Sequence, residues 1–290
     1  MLRTLKFITR HPLTKNQKTS AVLSFLSWQL GSRLLKKPSI CTFTASTKLI
    51  AWPGLTGATG NVYCGLHEFE DMGFLLHFLR PSDLFIDIGA NIGSYTILAA
   101  ADIKASVMAI EPHPETFALL LQNIAINQSA KRIEALNMAL GASKDILKFT
   151  KTHDTGNHIA VPGEKDVAEV SVNTLDNVLY GKVPALIKID VEGYEAEVLK
   201  GATATLNDPA LKAIIIELNG SGGRYGHSEE KIHNDLLAYE FKPMHYNPFK
   251  RTLSEATNFG THNTIYTRDL DFVKSRIQQA MPFHVKGQHI

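Results

Sequence analysis

Residues 83–96, Asp-Leu-Phe-Ile-Asp-Ile-Gly-Ala-Asn-Ile-Gly-Ser-Tyr-Thr, constrain the fold of this chain more than any other stretch. An apolar run suited to a buried strand meets a glycine-bearing turn, and a helical pattern follows. Open α/β sheets place their ligand crevice at such a strand end. About twenty residues further on, Glu111 closes the next apolar run, residues 106–110. A carboxylate there can accept hydrogen bonds from both hydroxyls of a ribose. Together the two features predict a nucleoside-type cofactor.

The spacing chooses among such cofactors. Gly89 and Gly93 permit a tight turn and a close backbone approach, and the helix start behind them favours an anionic group. A dinucleotide site wants G-x-G-x-x-G, and a phosphate loop ends in G-K-S/T. Here the order is Asp87-x-Gly89-x-x-x-Gly93, followed by Ser94 and Tyr95 with no lysine, which disfavours a dinucleotide oxidoreductase. Asp87 suits a cationic amine better than a pyrophosphate, because adjacent anions repel. S-adenosyl-L-methionine carries an ammonium, a carboxylate, a sulfonium and a ribose; Asp87, the helix start and Glu111 match three of these. Asn91 can support the turn. Asn137, near Ala139-Leu140-Gly141, ends the third strand where adenine is expected, either as a hydrogen-bond partner or as a strand stop.

Around this unit the pattern alternates. Strands are expected at 84–88, 106–110, 133–138, 184–189 and 213–217, with helices near 93–101, 114–127 and 194–206, which predicts a mostly parallel sheet covered on both faces. Residues 147–150 and 169–172 read as paired strands around a polar loop at 151–166. Residues 242–246 and 263–267 read as a closing pair with an antiparallel edge strand, and the tail from 268 as a short helix with a frayed end. A helix over 66–79 ends at Pro81. Residues 1–60 read as an N-terminal α+β extension, with a helix near 20–36, short strands at 41–44 and 48–52, and turns at Pro53-Gly54 and residues 57–60. Residues 61–290 form the main domain.

Three blocks then carry a resemblance: Phe85–Gly93, Ala109-Ile110-Glu111-Pro112, and Leu186-Ile187-Lys188-Ile189-Asp190-Val191-Glu192-Gly193-Tyr194-Glu195. With Val172-Asn173-Thr174-Leu175-Asp176 and Val198-Leu199-Lys200-Gly201-Ala202, the chain resembles the FkbM-type methyltransferases over roughly residues 83–267. The resemblance implies a class I (Rossmann-like) fold, S-adenosyl-L-methionine as methyl donor, and usually O-methylation of a sugar, a glycan or another small hydroxylated metabolite. The other-class alternative is a non-catalytic cofactor-binding module in glycan or membrane assembly.

Asp87, Gly89, Asn91, Gly93, Glu111, Pro112 and Asn137 are the candidate cofactor contacts. An alcohol acceptor also needs a destination for its proton. Asp190 and Glu192, at the end of the fourth strand, are the first candidates, with Glu217 on the same rim and His262 at its edge. His113, after Pro112, reads as an adenosine-side or surface residue, and Glu195 as a helix-start anion. Asp190 and Glu217, with Asn219, could hold a divalent cation through oxygen ligands, but strand-end carboxylates serve other purposes more often, and no metal is assigned.

Net charge is +2, and there is no aromatic-rich basic stripe, so nucleic acid is not an expected partner. The first forty residues nevertheless carry eight Lys and Arg and no Asp or Glu. The helix at 20–37 is expected to pack on the core, with peripheral membrane contact as the second reading. No apolar run reaches the roughly 18 residues of a membrane span. Cys41 and Cys64 suit neither a disulfide framework nor a zinc site, which favours a reducing, cytoplasmic setting. The oligomeric state and the acceptor's identity are not encoded in any motif.

Overall fold

In the computed structural model, which describes residues 2–35, 37–52, 56–151 and 156–290, the chain enters through helices α1 (Leu2–Arg10) and α2 (Lys18–Leu35) and a hairpin of β1 (Ser39–Thr42) and β2 (Lys48–Ala51). Helices α3 (Thr56–Cys64) and α4 (Phe69–Phe78) lead to β3 (Leu84–Ile88), α5 (Ser94–Ile97), β4 (Ser106–Ile110), α6 (Pro114–Ile126) and β5 (Ile133–Leu136). A small sheet follows, from β6 (Ala139–Leu140), β7 (Asp145–Thr150) and β8 (Val167–Asn173). After α7 (Leu175–Leu179) come β9 (Leu186–Ile189), α8 (Glu195–Lys200), α9 (Thr203–Asn207) and β10 (Ala213–Glu217). The chain finishes with α10 (Glu229–Ala238), β11 (Lys242–Asn247), β12 (Thr252–Glu255), β13 (Asn263–Thr267), α11 (Leu270–Gln278) and the short pair β14 (His284–Val285) and β15 (Gln288–His289).

The large sheet has the order β12-β11-β13-β10-β9-β3-β4-β5. Strands β5, β4, β3, β9 and β10 run parallel. The antiparallel β13 sits between β10 and β11, and β12, antiparallel to β11, forms the edge. Because the sheet is covered on both sides, its central strands β3, β4, β9 and β10 are nearly continuous apolar runs. Alternate residues serve opposite faces. Phe85, Val107, Leu186 and Ile215 pack with α4, α6 and α11, while Ile86, Met108, Ile187 and Ile214 pack with α7, α8, α9 and α10.

Residues 2–52 are tied to this body at several places, among them the Thr44 and Ser46 hydroxyls on Asp102. Ile8, Ala21 and Phe25 pack on Tyr63 and Cys64 of α3. The amides of Lys48 and Ile50 in β2 donate to Asn127 and Asn123 of α6 at 2.9 and 2.7 Å. Both cysteines are free thiols, Cys64 buried and Cys41 half-buried. Among the described residues, no helix is long and apolar enough to cross a membrane.

Four local expectations change. Residues 57–60 belong to α3 rather than a turn. Ala58 packs against Ala51 and Ile92, and a Cβ on Gly60 would stand 2.3 Å from His67, so close contact overrides the turn propensity. The Pro53-Gly54 turn lies outside the described residues. The helix expected at 194–206 breaks into α8 and α9 around Gly201, where a Cβ would meet the Gly141 carbonyl at 2.1 Å. The helix expected at 93–101 is a short α-turn continued by a π-turn over Leu98–Ile103. The tail is not frayed: Phe283 and Ile290 exchange backbone hydrogen bonds of 3.1 and 3.0 Å, and Ile290 is buried.

The loop before β3 is locked to α11. Both terminal guanidinium nitrogens of Arg276, Nη1 and Nη2, donate to the Asp83 carboxylate, and its cationic plane lies 4.7 Å from the Phe272 ring. Replacing Arg276 with Leu is expected to cost about 2 kcal/mol and to lower the melting temperature by roughly 3–4 °C. A melt that matches wild type would remove this anchor from the account.

Candidate active site at the carboxyl edge of the sheet

The turn after β3 is shaped by contact as well as by conformation. Gly89 has φ +76°, and a Cβ there would stand 1.8 Å from the Asp190 carbonyl, so the β3 and β9 strand ends can touch only through glycine. Gly93 has φ +93°, and a Cβ there would press on Leu120 of α6. Asn91, also left-handed at φ +52°, gives its amide to Glu111 Oε2 at 2.9 Å. The His113 amide takes Glu111 Oε1 at 2.9 Å. Each Glu111 oxygen thus holds one backbone donor and retains capacity for another. Burial raises Glu111 to about 7, against the two amides that lower it.

A cavity of about 290 Å³ opens along this rim. Asp87, Gly89, Asn91, Glu111, Pro112, Asp190, Glu192 and Glu217 all line it. Gly93 shapes the turn from behind. Asn137 is exposed and faces elsewhere, its Nδ2 donating to the carbonyls of Glu111 and Pro112 at 2.8 and 3.0 Å. It braces the Glu111 segment, which departs from the expected adenine contact. His262 is exposed and outside the lining, and its carbonyl accepts from the Leu218 amide at 3.0 Å. The β10–β13 pairing that anchors its backbone leaves the ring to solvent. His113 lines the cavity and caps α6 through Nδ1, while its buried Nε2 has no partner.

At the other end of the cavity stands a group of carboxylates. Oxygens of Asp190, Glu192 and Glu217 lie within 4.8 Å of one another. Lys188, a buried lysine of β9, donates to Asp190 Oδ2 at 2.7 Å. Burial opposes its charge, but Asp190, Glu68 and Asp87 outweigh that and hold its pKa above the ordinary value. Asp87 is also buried and accepts from Thr96 Oγ1 at 2.6 Å. Burial raises its pKa, with Lys188 pulling the other way, so part of the positive charge expected opposite Asp87 comes from the chain itself.

Burial first, then the charges of Asp190 and Glu192, push Glu217 up to about 9, so it keeps its proton at neutral pH. Its Oε2 is buried with no hydrogen-bond partner. Burial, with Asp190, raises Glu192 to about 6. Glu195 accepts the amides of Val191 and Gly193 at 3.2 and 3.1 Å and so holds the loop that carries Glu192. The polar loop reaches the cavity through Asn157 and Ile159, while residues 152–155 lie outside the described residues.

Several lining residues escaped the sequence reading. Tyr95 donates to Glu68 Oε2 at 2.7 Å, and Asn263 donates to Glu68 Oε1 at 2.8 Å, which joins α4, α5 and β13 under the carboxylates. Only Lys188 had a local signal: it is the one charge inside the apolar run Leu186–Ile189, and a buried cation requires partners.

Raised carboxyls fix a sign for stability. A carboxyl lifted above its ordinary value near 4.5 contributes stability that is full below that value and lost as pH rises through the lifted one. Glu192, Glu111 and Glu217 therefore predict that the unliganded protein melts several degrees lower at about pH 9 than at about pH 5. Glu217→Gln should flatten the alkaline half of that curve. Scanning calorimetry across pH checks both, and a melting temperature that rises toward pH 9 would contradict the assignment.

A model of the family described as "Methyltransferase FkbM domain" matches residues 87–273, and the chain belongs to that family. Its mostly parallel sheet, with the antiparallel β13 next to β10, is the class I arrangement the resemblance implied. Among curated relatives, the hexuronic acid methyltransferase AglP of Haloferax volcanii is 31% identical over 52% of this chain and 62% of its own length. The 31-O-demethyl-FK506 methyltransferase FkbM of Streptomyces tacrolimicus is 27% identical over 54% of this chain and 74% of its own. Among solved structures, TYW2 of P. horikoshii, in complex with MeSAdo, aligns with a TM-score of 0.44 at 16% identity, covering 89% of this chain and 84% of that one.

Proposed function

We propose that the protein transfers the methyl group of S-adenosyl-L-methionine to a hydroxyl of a sugar, a glycan or another small metabolite. The observation that carries this reading is one cavity with a ribose-type acceptor, Glu111, at one end and the Asp190–Glu192–Glu217 carboxylates at the other. The fit is supported on the Glu111 side by His113, a lining residue whose buried Nε2 has no partner.

When bound, S-adenosyl-L-methionine supplies an electrophilic methyl on an already activated sulfonium. The chain then has two tasks. The first is alignment, which is worth on the order of 7–11 kcal/mol when reacting groups are well placed; the Gly89 contact, Glu111 and the Glu195-held loop provide it. The second is the acceptor's proton. Glu192, ionised at neutral pH and facing the cavity, takes it. Glu217, carrying its proton, can donate a hydrogen bond to the acceptor, and Lys188 holds the Asp190 carboxylate in place.

The three carboxylates are also oxygen ligands of the type a divalent cation takes. Lys188 already offsets Asp190, which weakens the trio's call for a metal. The name of the Haloferax relative makes hexuronic acids the first acceptors to try. The test incubates purified protein and methyl donor with uronic acids, their glycosides and neutral hexoses, with and without EDTA, and reads products by mass spectrometry. An O-methylated product insensitive to EDTA is expected. Methylation at nitrogen or carbon, or no product on any acceptor from protein that binds the donor, would overturn the reading.

A further inference from the structure

Helix α2 is apolar on two sides. Ala21 and Phe25 face inward onto α1 and α3. On the other side Leu23, Leu26, Leu30 and Leu34 are 63, 48, 64 and 73% exposed. Their spacing of three, four and four residues lines them up along one face. A helix apolar all round needs cover on both sides, and a contiguous exposed apolar stripe marks an interaction surface.

Charge selects the occupant. Residues 1–67 contain nine Lys and Arg and no Asp or Glu, the first acid being Glu68. Lys15 and Lys18 are exposed at the start of α2, and Lys37 is exposed just beyond its end. Helix α1 adds exposed Leu2 and Phe7 among exposed Arg3, Lys6 and Arg10. A second copy of this chain would set the same cations against themselves across a two-fold axis. An anionic bilayer surface offers both an apolar interior for the leucines and negative headgroups for the cations.

We propose that α1 and α2 dock the protein on an anionic membrane surface, with the α2 leucine face inserted at the interface. The docked helix lies one element away from the cavity: Phe25 meets the Tyr63 ring of α3 at 5.2 Å, and Asn61 of the same helix lines the cavity and donates to Ser94 at 3.0 Å. Docking would therefore hold the cavity close to the headgroups.

The test is flotation of the full chain with vesicles of phosphatidylcholine alone and of phosphatidylcholine mixed with phosphatidylglycerol. Wild type is expected to float with the mixed vesicles only, and less so as salt rises. The triple variant Leu23→Ser, Leu30→Ser, Leu34→Ser should partition at least about a hundredfold more weakly, with an unchanged circular dichroism spectrum because the replaced residues are exposed. Lys15→Glu with Lys18→Glu should weaken binding while leaving the leucines in place. Wild type that stays with the soluble fraction, or a leucine variant that floats as wild type does, overturns the proposal. So does a wild-type dimer in light scattering that the leucine variant converts to monomer, which would assign the stripe to a second copy.

Discussion

A Glu111→Ala variant is expected to bind S-adenosylhomocysteine at least about a hundredfold more weakly than wild type. Two ribose hydroxyls donating to a buried carboxylate are worth about 1.5–3 kcal/mol each, and a combined loss near 3 kcal/mol already corresponds to about two orders of magnitude in affinity. The loss is compounded because Glu111 also holds the amides of Asn91 and His113, which shape the turn around the ligand. Glu111→Gln keeps the size and one acceptor oxygen, so it should fall between the two. Calorimetric titration reads the affinities, and a melting curve shows that each variant is folded. Wild-type affinity in a folded Glu111→Ala protein would place the cofactor elsewhere.

The second large effect concerns the proton. Glu192 sits in a loop whose backbone leaves it little freedom: it has φ +54°, and Gly193 after it has φ +104°, with a would-be Cβ 2.6 Å from the Ser221 carbonyl. Glu195 fixes the same loop from below. A general base so placed contributes typically about 10²–10⁴-fold, and Glu192→Gln is expected to lose that much turnover while binding S-adenosylhomocysteine as wild type does. Burial and Asp190 raise Glu192 to about 6, so the wild-type rate should climb through that pH and then level off. The residual rate of Glu192→Gln should lack the step. An unchanged rate, or an unchanged step, would transfer the role to Asp190 or Glu217.

The parts of this arrangement that could be read from the chain share a physical cause. A two-sided parallel sheet needs nearly continuous apolar strands, so residues 84–88, 106–110 and 213–217 announce themselves; Glu111 and Glu217 mark where two of those runs stop, and Asp87 stands one residue before the end of the first. Contacts between distant segments leave no such trace. Glu68 and Asn263 are 195 positions apart and meet only because β13 inserts between β10 and β11. The helical state of residues 57–60 depends on His67 lying against Gly60, which no local propensity encodes. Asn137 and His262 were rightly placed at strand ends, yet side-chain direction there is set by loop geometry, and both turn away from the cavity.

A crystal structure of the protein with S-adenosylhomocysteine bound would show the whole arrangement at once. The ribose hydroxyls should sit on the Glu111 carboxylate, the adenine beside His113, and the sulfur should face Asp190, Glu192 and Glu217. A complex with the ribose away from Glu111, or with the sulfur turned from those three carboxylates, would contradict that arrangement.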